Sequence, residues 1–416
     1  MIAVMRLLRS ASLRISSSPA LGDFEKFSLL ATIFLAERWG VTSGDYYALQ
    51  LCIPLLMIVG ALGFFMVLRS VPGAGYFTLA YIVCVGVTDR LLFGFMHTAN
   101  TGADVLDATR EAIQVVLSGR NPYLHAFMTT RPAHAPFPYL PGEIFFYGVP
   151  YLFHVSVGMT EWCAGIGILF LIAASAPIVG AARASICTAL YALCSGSNVT
   201  LTNDVGLAFT AICAILLLAW SETLSERGAS RRAISICFYA SAVFFAWALL
   251  FKALFWPVFP FIAVYLWRRD QRTAKNYLSI ILGICQLTVL PFLFSGAGGF
   301  LFNVFEGFVY HHRVFWGINL WNGMHTAGVG IRPGGIVPMI TDFIVVGGVC
   351  LLLLRRPSLS LGAAVMRGSG CLATVLLLSR YTPFVYWTFA SIILIGALAL
   401  LPQTTASVPQ SAETVQ

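Results

Sequence analysis

The stretch GADVLDATREAIQVVLSGRNPY, residues 102–123, holds the densest group of acids in an otherwise apolar chain. Asp104, Asp107 and Glu111 stand at i, i+3 and i+7, a spacing that puts three carboxylates along one helix face. A carboxylate within hydrogen-bond reach of a hydroxyl can take its proton, so this face is a candidate for general-base work. The plainer alternative is a solvated face with Asp near a helix N-terminus, where negative charge is favoured anyway. A second group is basic. His311-His312-Arg313, next to Tyr310 and Trp316, can hold a phosphate by charge-assisted hydrogen bonds. The two histidines can equally serve as interfacial aromatics with wet tips. Lys252 follows a long apolar run in LLFKALFWP. A lysine there is costly unless it is paired or snorkels to the interface, so an anion contact and simple snorkelling both fit. Neither the histidines nor the ten cysteines, which form no CxxC pair, have the spacing of a metal site. No metal and no cofactor are therefore expected, although a divalent cation is compatible with the chemistry.

The elements that position these residues belong to a membrane protein. The chain has 416 residues, of which 58% are hydrophobic and 10% charged, against about 25% charged in an average soluble domain. Its mean hydropathy is +0.84. The net charge of +8 does not point to nucleic acid, because Lys and Arg cluster in short loops as orientation signals do. A spanning helix takes about 20 apolar residues. Runs 48–68, 77–96, 162–182, 204–220, 278–294 and 334–354 meet that length, and 184–203, 233–267 and 370–401 suit short hairpins. The fold class expected is an all-α polytopic bundle of about 9–12 helices by the length rule. Residues 1–47 read as a basic interfacial segment, 48–401 as one transmembrane domain, and 402–416 as a polar tail.

Basic residues orient the bundle. Loops 221–232, 268–277 and 355–369 each carry three or four Lys or Arg, which marks them as cytoplasmic. The tip of 233–267, with Lys252, then lies outside, as do loop 295–332 and the end holding Asn203 and Asp204. The polar helix faces the same side only if 139–155, broken by Pro141 and Pro150, does not cross the bilayer. The helix is amphipathic, with Val105, Ala108, Ala112, Val115 and Val116 opposite the acids, so it should lie flat on the membrane. Gly119 and Asn121-Pro122 stop it.

An acid ahead of a helix ending in Gly119-Arg120-Asn121-Pro122-Tyr123, followed by Tyr139-Leu140-Pro141, resembles the first outer loop of the GT-C superfamily of membrane glycosyltransferases. It is most similar to the bacterial polyprenyl-phosphate-mannose-dependent branch. SNVTLTNDVGLAF and LLFKALFWPVFP look like later spans of that superfamily, and the resemblance covers roughly residues 77–330. It implies transfer of mannose or a similar hexose from a polyprenyl-phosphate donor to a lipid, glycan or protein acceptor, with inversion, outside the bacterial inner membrane. It implies an Asp base, Asp104 with Asp107 as rival. It implies cations for the donor phosphate, for which Lys252, His311, His312 and Arg313 are the candidates. Glu111, Tyr139, Asn203 and Asp204 would line the substrate. It also implies that 139–155 lies at the interface, with amphipathic helices in an outer loop 97–160. Two departures stand out: Asp107-Ala108 replaces the usual aromatic after the Asp, and 48–68 is an extra leading span. The competing expectation is a transporter or flippase of a lipid-linked or small polar substrate. Transporters often carry internal repeats and midplane charges, whereas here no repeat is evident and most charges sit at helix ends. The expected partners are the bilayer, the donor and the acceptor; oligomeric state stays open.

Overall fold

A computed structural model of the chain describes residues 47–97, 104–130, 133–135, 137–193, 202–310, 316–329, 336–355, 360–379 and 381–401. The expected basic segment 1–47 and tail 402–416 fall almost wholly outside these residues. Apart from a two-residue parallel pairing of Trp316–Gly317 with Tyr381–Thr382, every element described is helical.

In chain order the helices are α1 (Tyr47–Leu68), α2 (Ala74–His97), α3 (Val105–Leu117), α4 (Pro141–Leu152) and α5 (Val157–Ala174), the last continued by a single turn, Ala176–Val179. There follow α6 (Ala181–Leu193), α7 (Asp204–Glu226), α8 (Arg231–Phe251), α9 (Phe259–Arg269) and α10 (Gln271–Tyr310). The last four are α11 (Leu320–Thr326), α12 (Ile336–Arg355), α13 (Leu361–Leu378) and α14 (Phe384–Leu400). Serines start several of them. Ser156, Ser230 and Ser360 each accept a backbone N–H from three residues on, satisfying one donor that the first helical turn leaves unpaired.

Five stretches are long and apolar enough to cross a membrane: Val157–Val179, Asp204–Glu226, Arg231–Phe251, Gln271–Val304 and Leu361–Leu378. The protein is therefore a helical membrane protein. α7 is its central pillar, with 83% of its most apolar stretch buried. It packs against α5, α8 and α14. In contrast, 11% of the corresponding stretch of α10 is buried, and Leu287 and Phe294 stand out from it. Such a surface suits lipid.

The hairpins expected at 233–267 and 370–401 are present as α8–α9 and α13–α14. Residues 139–155 hold only the twelve-residue α4, about 18 Å long, too short for a hydrocarbon core of about 30 Å. Residues 295–332 differ from the expected second outer loop. α10 continues through the Gly-rich SGAGG stretch as far as Tyr310, kinking where Gly296 leaves helical geometry. The glycines are there for close approach. A Cβ on Gly299 would stand 2.8 Å from the Tyr123 carbonyl oxygen, and one on Gly296 would stand 2.9 Å from Leu124 Cδ1. The Asn-Pro-Tyr stop after α3 docks on this kink. Asn121 Nδ2 donates to Phe292 O and Ser295 Oγ, and Asn303 Nδ2 donates to Tyr123 O at 2.8 Å while its Oδ1 accepts from Phe137 N at 2.7 Å.

The alternation of α7, α8, α9 and α10 sends chain ends to opposite sides. Arg227, Arg231, Arg232, Arg268, Arg269, Arg272 and Lys275 gather at one end, where Arg269 pairs with Glu222 at 2.5 Å. Arg268 donates to Leu354 O, which brings the end of α12 there too. The start of α7 and the end of α8 lie at the other end, with Asn203, Asp204 and Lys252.

Candidate functional site

At that second end a group of polar side chains is buried among apolar helices. The first turn of α7 sets its geometry. Asn203 is the N-cap residue and Asp204 the first helical residue, so both project from the pillar's tip. α8 ends at Phe251 because Lys252 takes extended backbone, and this turns the lysine inward instead of along the helix. Its Nζ donates to Asp204 Oδ1 at 2.8 Å and to Asn203 Oδ1 at 3.2 Å. The Lys252 and Asp204 side chains are 12% and 5% exposed. The Nζ also lies over the rings of Tyr139 and Tyr386, 5.3 and 4.5 Å from their centroids, positions that favour a desolvated cation. Burial works to lower the Lys252 pKa, but Asp204 and the flanking phenols outweigh it and hold it well above the ordinary value. Thr202 Oγ1 donates to Asp204 Oδ2 at 3.1 Å. A small cavity lined by Thr202, Asp204, Val385, Thr388 and Ile392, among others, opens beside that carboxylate.

The network continues into α4 and α3. Glu143, fully buried, accepts from Asn203 Nδ2 at 2.6 Å on Oε2, and its Oε1 lies 2.6 Å from Thr109 Oγ1 of α3. Burial, the largest influence, raises the Glu143 pKa to about 8, against the opposing pull of Thr109, Lys252 and Asn203. A second buried acid, Glu161 of α5, accepts from Val205 N at 2.7 Å and Gly206 N at 2.8 Å and from the Tyr147 hydroxyl. It thereby satisfies orphan N–H groups of α7's first turn with a carboxylate at the positive end of the helix. A Cβ on Gly206 would stand 2.6 Å from the Tyr147 hydroxyl oxygen, so glycine is what lets α4 come this close. α4 is pinned in turn by Trp247 Nε1 donating to Gly142 O, with Gly142 packed on Leu250.

Of the residues singled out from the sequence, Tyr139, Asn203, Asp204 and Lys252 come together here. The acids of α3 are placed otherwise. α3 buries Leu106, Ala108, Thr109, Ala112, Ile113 and Val115, close to the expected apolar stripe. Asp104 is its N-cap residue, partly exposed, with no capping bond from its side chain. Asp107 pairs with Arg110 at 3.1 Å, both side chains more than half exposed. Glu111 folds onto the following loop. It meets His125 Nε2 at 2.8 Å and accepts from Met128 N, Thr129 N and Thr129 Oγ1. Partial burial opposes its charge, but these four donors outweigh it and keep the Glu111 pKa below the ordinary value. His311, His312 and Arg313 lie outside the described residues. Among the described residues no three His, Cys, Asp or Glu side chains are placed to hold a metal ion.

Glu143, Glu161, Thr109, Tyr147 and Tyr386 were not anticipated. A signal existed for the two glutamates: each is an acid inside an apolar run, and an ionisable group in that setting is a functional candidate by default. Compared with known families, curated proteins and solved structures, the chain finds no match.

Proposed function

We propose that the protein is a membrane glycosyltransferase of GT-C type. It would move mannose or a similar hexose from a polyprenyl-phosphate donor to a lipid, glycan or protein acceptor. The observation that carries this reading is the gathering of Tyr139, Asn203, Asp204 and Lys252 at the end of the bundle where the polar helix α3 and the short α4 pack. The basic residues at the opposite end argue that this end faces away from the cytoplasm, which in a bacterium is the outer face of the inner membrane.

The chemistry follows from the residues. An acceptor hydroxyl attacks the anomeric carbon as Asp104, with Asp107 as the rival base, takes its proton. The new C–O bond forms as the bond from the anomeric carbon to the phosphate oxygen breaks, and the electron pair leaves with the polyprenyl phosphate. Lys252 offers a fixed positive charge to that leaving group, with His311, His312 and Arg313 as further candidates. Direct displacement inverts the anomeric centre.

The test is transfer by the full chain in proteoliposomes, from a panel of polyprenyl-phosphate sugars, with product analysis. Asp104→Asn is expected to abolish transfer while the protein still inserts and folds. Full activity in that variant moves the base to Asp107, and no covalent product from any donor sinks the enzyme reading. Movement of an intact lipid-linked sugar across the bilayer without a product would establish the transporter instead. A cysteine placed at Met128, which is 66% exposed, is expected to label only from the non-cytoplasmic side.

A further inference from the structure

We propose that Glu143 is a neutral carboxylic acid in the folded protein and that its proton, donated to Thr109, latches the polar helix α3 onto the bundle. The inference goes beyond sugar transfer and does not require it.

A count of hydrogens carries it. Lys252 can only donate, and its Nζ donates to Asn203 Oδ1, which fixes the amide with Nδ2 toward Glu143. Glu143 Oε2 is thus an acceptor. Its Oε1 faces Thr109 Oγ1 at 2.6 Å, and that hydroxyl oxygen also lies 2.8 Å from the Val105 carbonyl oxygen, four residues back in α3. A hydroxyl has one hydrogen and a carbonyl has none to offer. With the Thr109 hydrogen on Val105 O, the second short contact is closed by a hydrogen on Glu143 Oε1. An ionised Glu143 would claim the Thr109 hydrogen and leave two bare oxygens 2.8 Å apart. Full burial favours the neutral form for the same reason, since an ionised carboxylate loses its water shell there.

The consequence is mechanical. α4 carries Glu143, α3 carries Thr109 and Asn203 caps α7, so one acid group ties three elements together. The charged groups facing it are Lys252 and Asp204, with Glu161 beyond Tyr147; the phenols of Tyr123, Tyr139 and Tyr386 complete the titratable set. Lys252 and Asp204 are ion-paired, and Glu161 is the other buried acid of the network, which the Glu143→Gln variant below leaves in place. The folded pKa of Glu143, about 8, lies above the ordinary 4.5. Burial, not the Thr109 contact, raises this pKa, so the cost of ionising the acid falls on the packing of α3 over it: that packing is fully favoured below about pH 4.5 and loses its advantage as pH rises through about pH 8.

Hydrogen–deuterium exchange of the full chain in nanodiscs tests this, with protection factors corrected for intrinsic exchange. In the wild type, α3 protection is expected to fall by up to roughly tenfold per pH unit between about pH 4.5 and 8, while α7 stays protected. Glu143→Gln, which keeps a donor and an acceptor but cannot titrate, is expected to keep α3 protected at every pH. Thr109→Val is expected to lower α3 protection throughout. Three results would overturn the proposal: a flat pH response in the wild type, the same slope in Glu143→Gln, or loss of α3 protection in Glu143→Gln at pH 5.5 with α7 intact.

Discussion

Lys252→Met removes a charge while keeping most of the side chain's length and bulk, so it isolates the electrostatic role of the residue at the heart of the site. The Lys252–Asp204 contact is 2.8 Å with both side chains largely buried. At an effective dielectric of about 20, unit charges at that separation attract by about 6 kcal/mol. Desolvation of the two ions offsets much of this, at several kcal/mol per ion. The substitution leaves Asp204 charged, buried and unpaired, and leaves Asn203 Oδ1 without its lysine donor. The expected cost is therefore about 3–5 kcal/mol. Asp204→Asn should cost a similar amount by stranding the ammonium. The double variant removes both charges and should be more stable than the sum of the singles predicts, by at least about 2 kcal/mol. Denaturant unfolding in a fixed detergent, followed by intrinsic fluorescence, measures all four corners of the cycle. A single-variant cost under about 1 kcal/mol with no coupling would refute the buried-pair argument. It would mean that Lys252 reaches water or headgroups, the snorkelling alternative.

Two further expectations can be checked in the same detergent. Gly299→Ala forces a Cβ against the Tyr123 carbonyl and the Leu124 side chain, and should cost about 1–3 kcal/mol. Gly298→Ala next door meets nothing within 4 Å and should be neutral or stabilising by up to about 1 kcal/mol; equal midpoints for the two would argue against the docking of Asn121-Pro122-Tyr123 on α10. Glu111 has its pKa depressed below the ordinary 4.5, so the stability it lends the 125–129 loop is present above about pH 4.5 and lost as pH falls through the lower folded value. Amide exchange at Met128 and Thr129 should accordingly rise under acid in the wild type. In Glu111→Gln it should be faster at neutral pH and flat with pH.

The readability of the sequence divides along a physical line. Long apolar runs and basic turns are local signals, and the hairpins at 233–267 and 370–401 are visible in them. Lys252 stood out because a lysine after an apolar run carries a large desolvation cost that some partner must meet. Its partner, Asp204, was also named, but the pairing was not, since 48 residues separate them. Glu143 is hidden because its surroundings, YLPGEIFFYGVPYLF, read as a segment that either crosses or lies flat, and its partners Thr109 and Asn203 lie 34 and 60 residues away. Residues 295–332 read as an outer loop, whereas the role of the glycines in SGAGG is set by Tyr123 and Leu124, more than 170 residues away in sequence. Periodicity reports which face of a helix is apolar, and says nothing about which backbone must pass within van der Waals distance of it. The extent of α3 was legible from its acid spacing and its stop; that Thr109, on the buried side, would be the residue gripping the bundle was not.

The clamped start of α7 also says where this protein can tolerate changes in length. Five consecutive residues, Thr202 to Gly206, make contacts that depend on their rotational phase: two carboxamide or carboxylate heads toward Lys252 and Glu143, and two amides toward Glu161. Each residue advances a helix by about 100°. A one-residue insertion or deletion within 202–206 would put neighbouring side chains out of phase with their fixed partners, and no single substitution elsewhere would restore them. The far end, in the turn Gly228-Ala229 between α7 and α8, is held differently, by the turn's own backbone hydrogen bonds from Gly228 N to Ser225 O and from Ala229 N to Leu224 O and by Arg227 donating to Pro177 O, contacts that a turn of another length can replace with its own. Length variation in this chain is thus expected to be polarised, better accepted at the basic end than within those five residues.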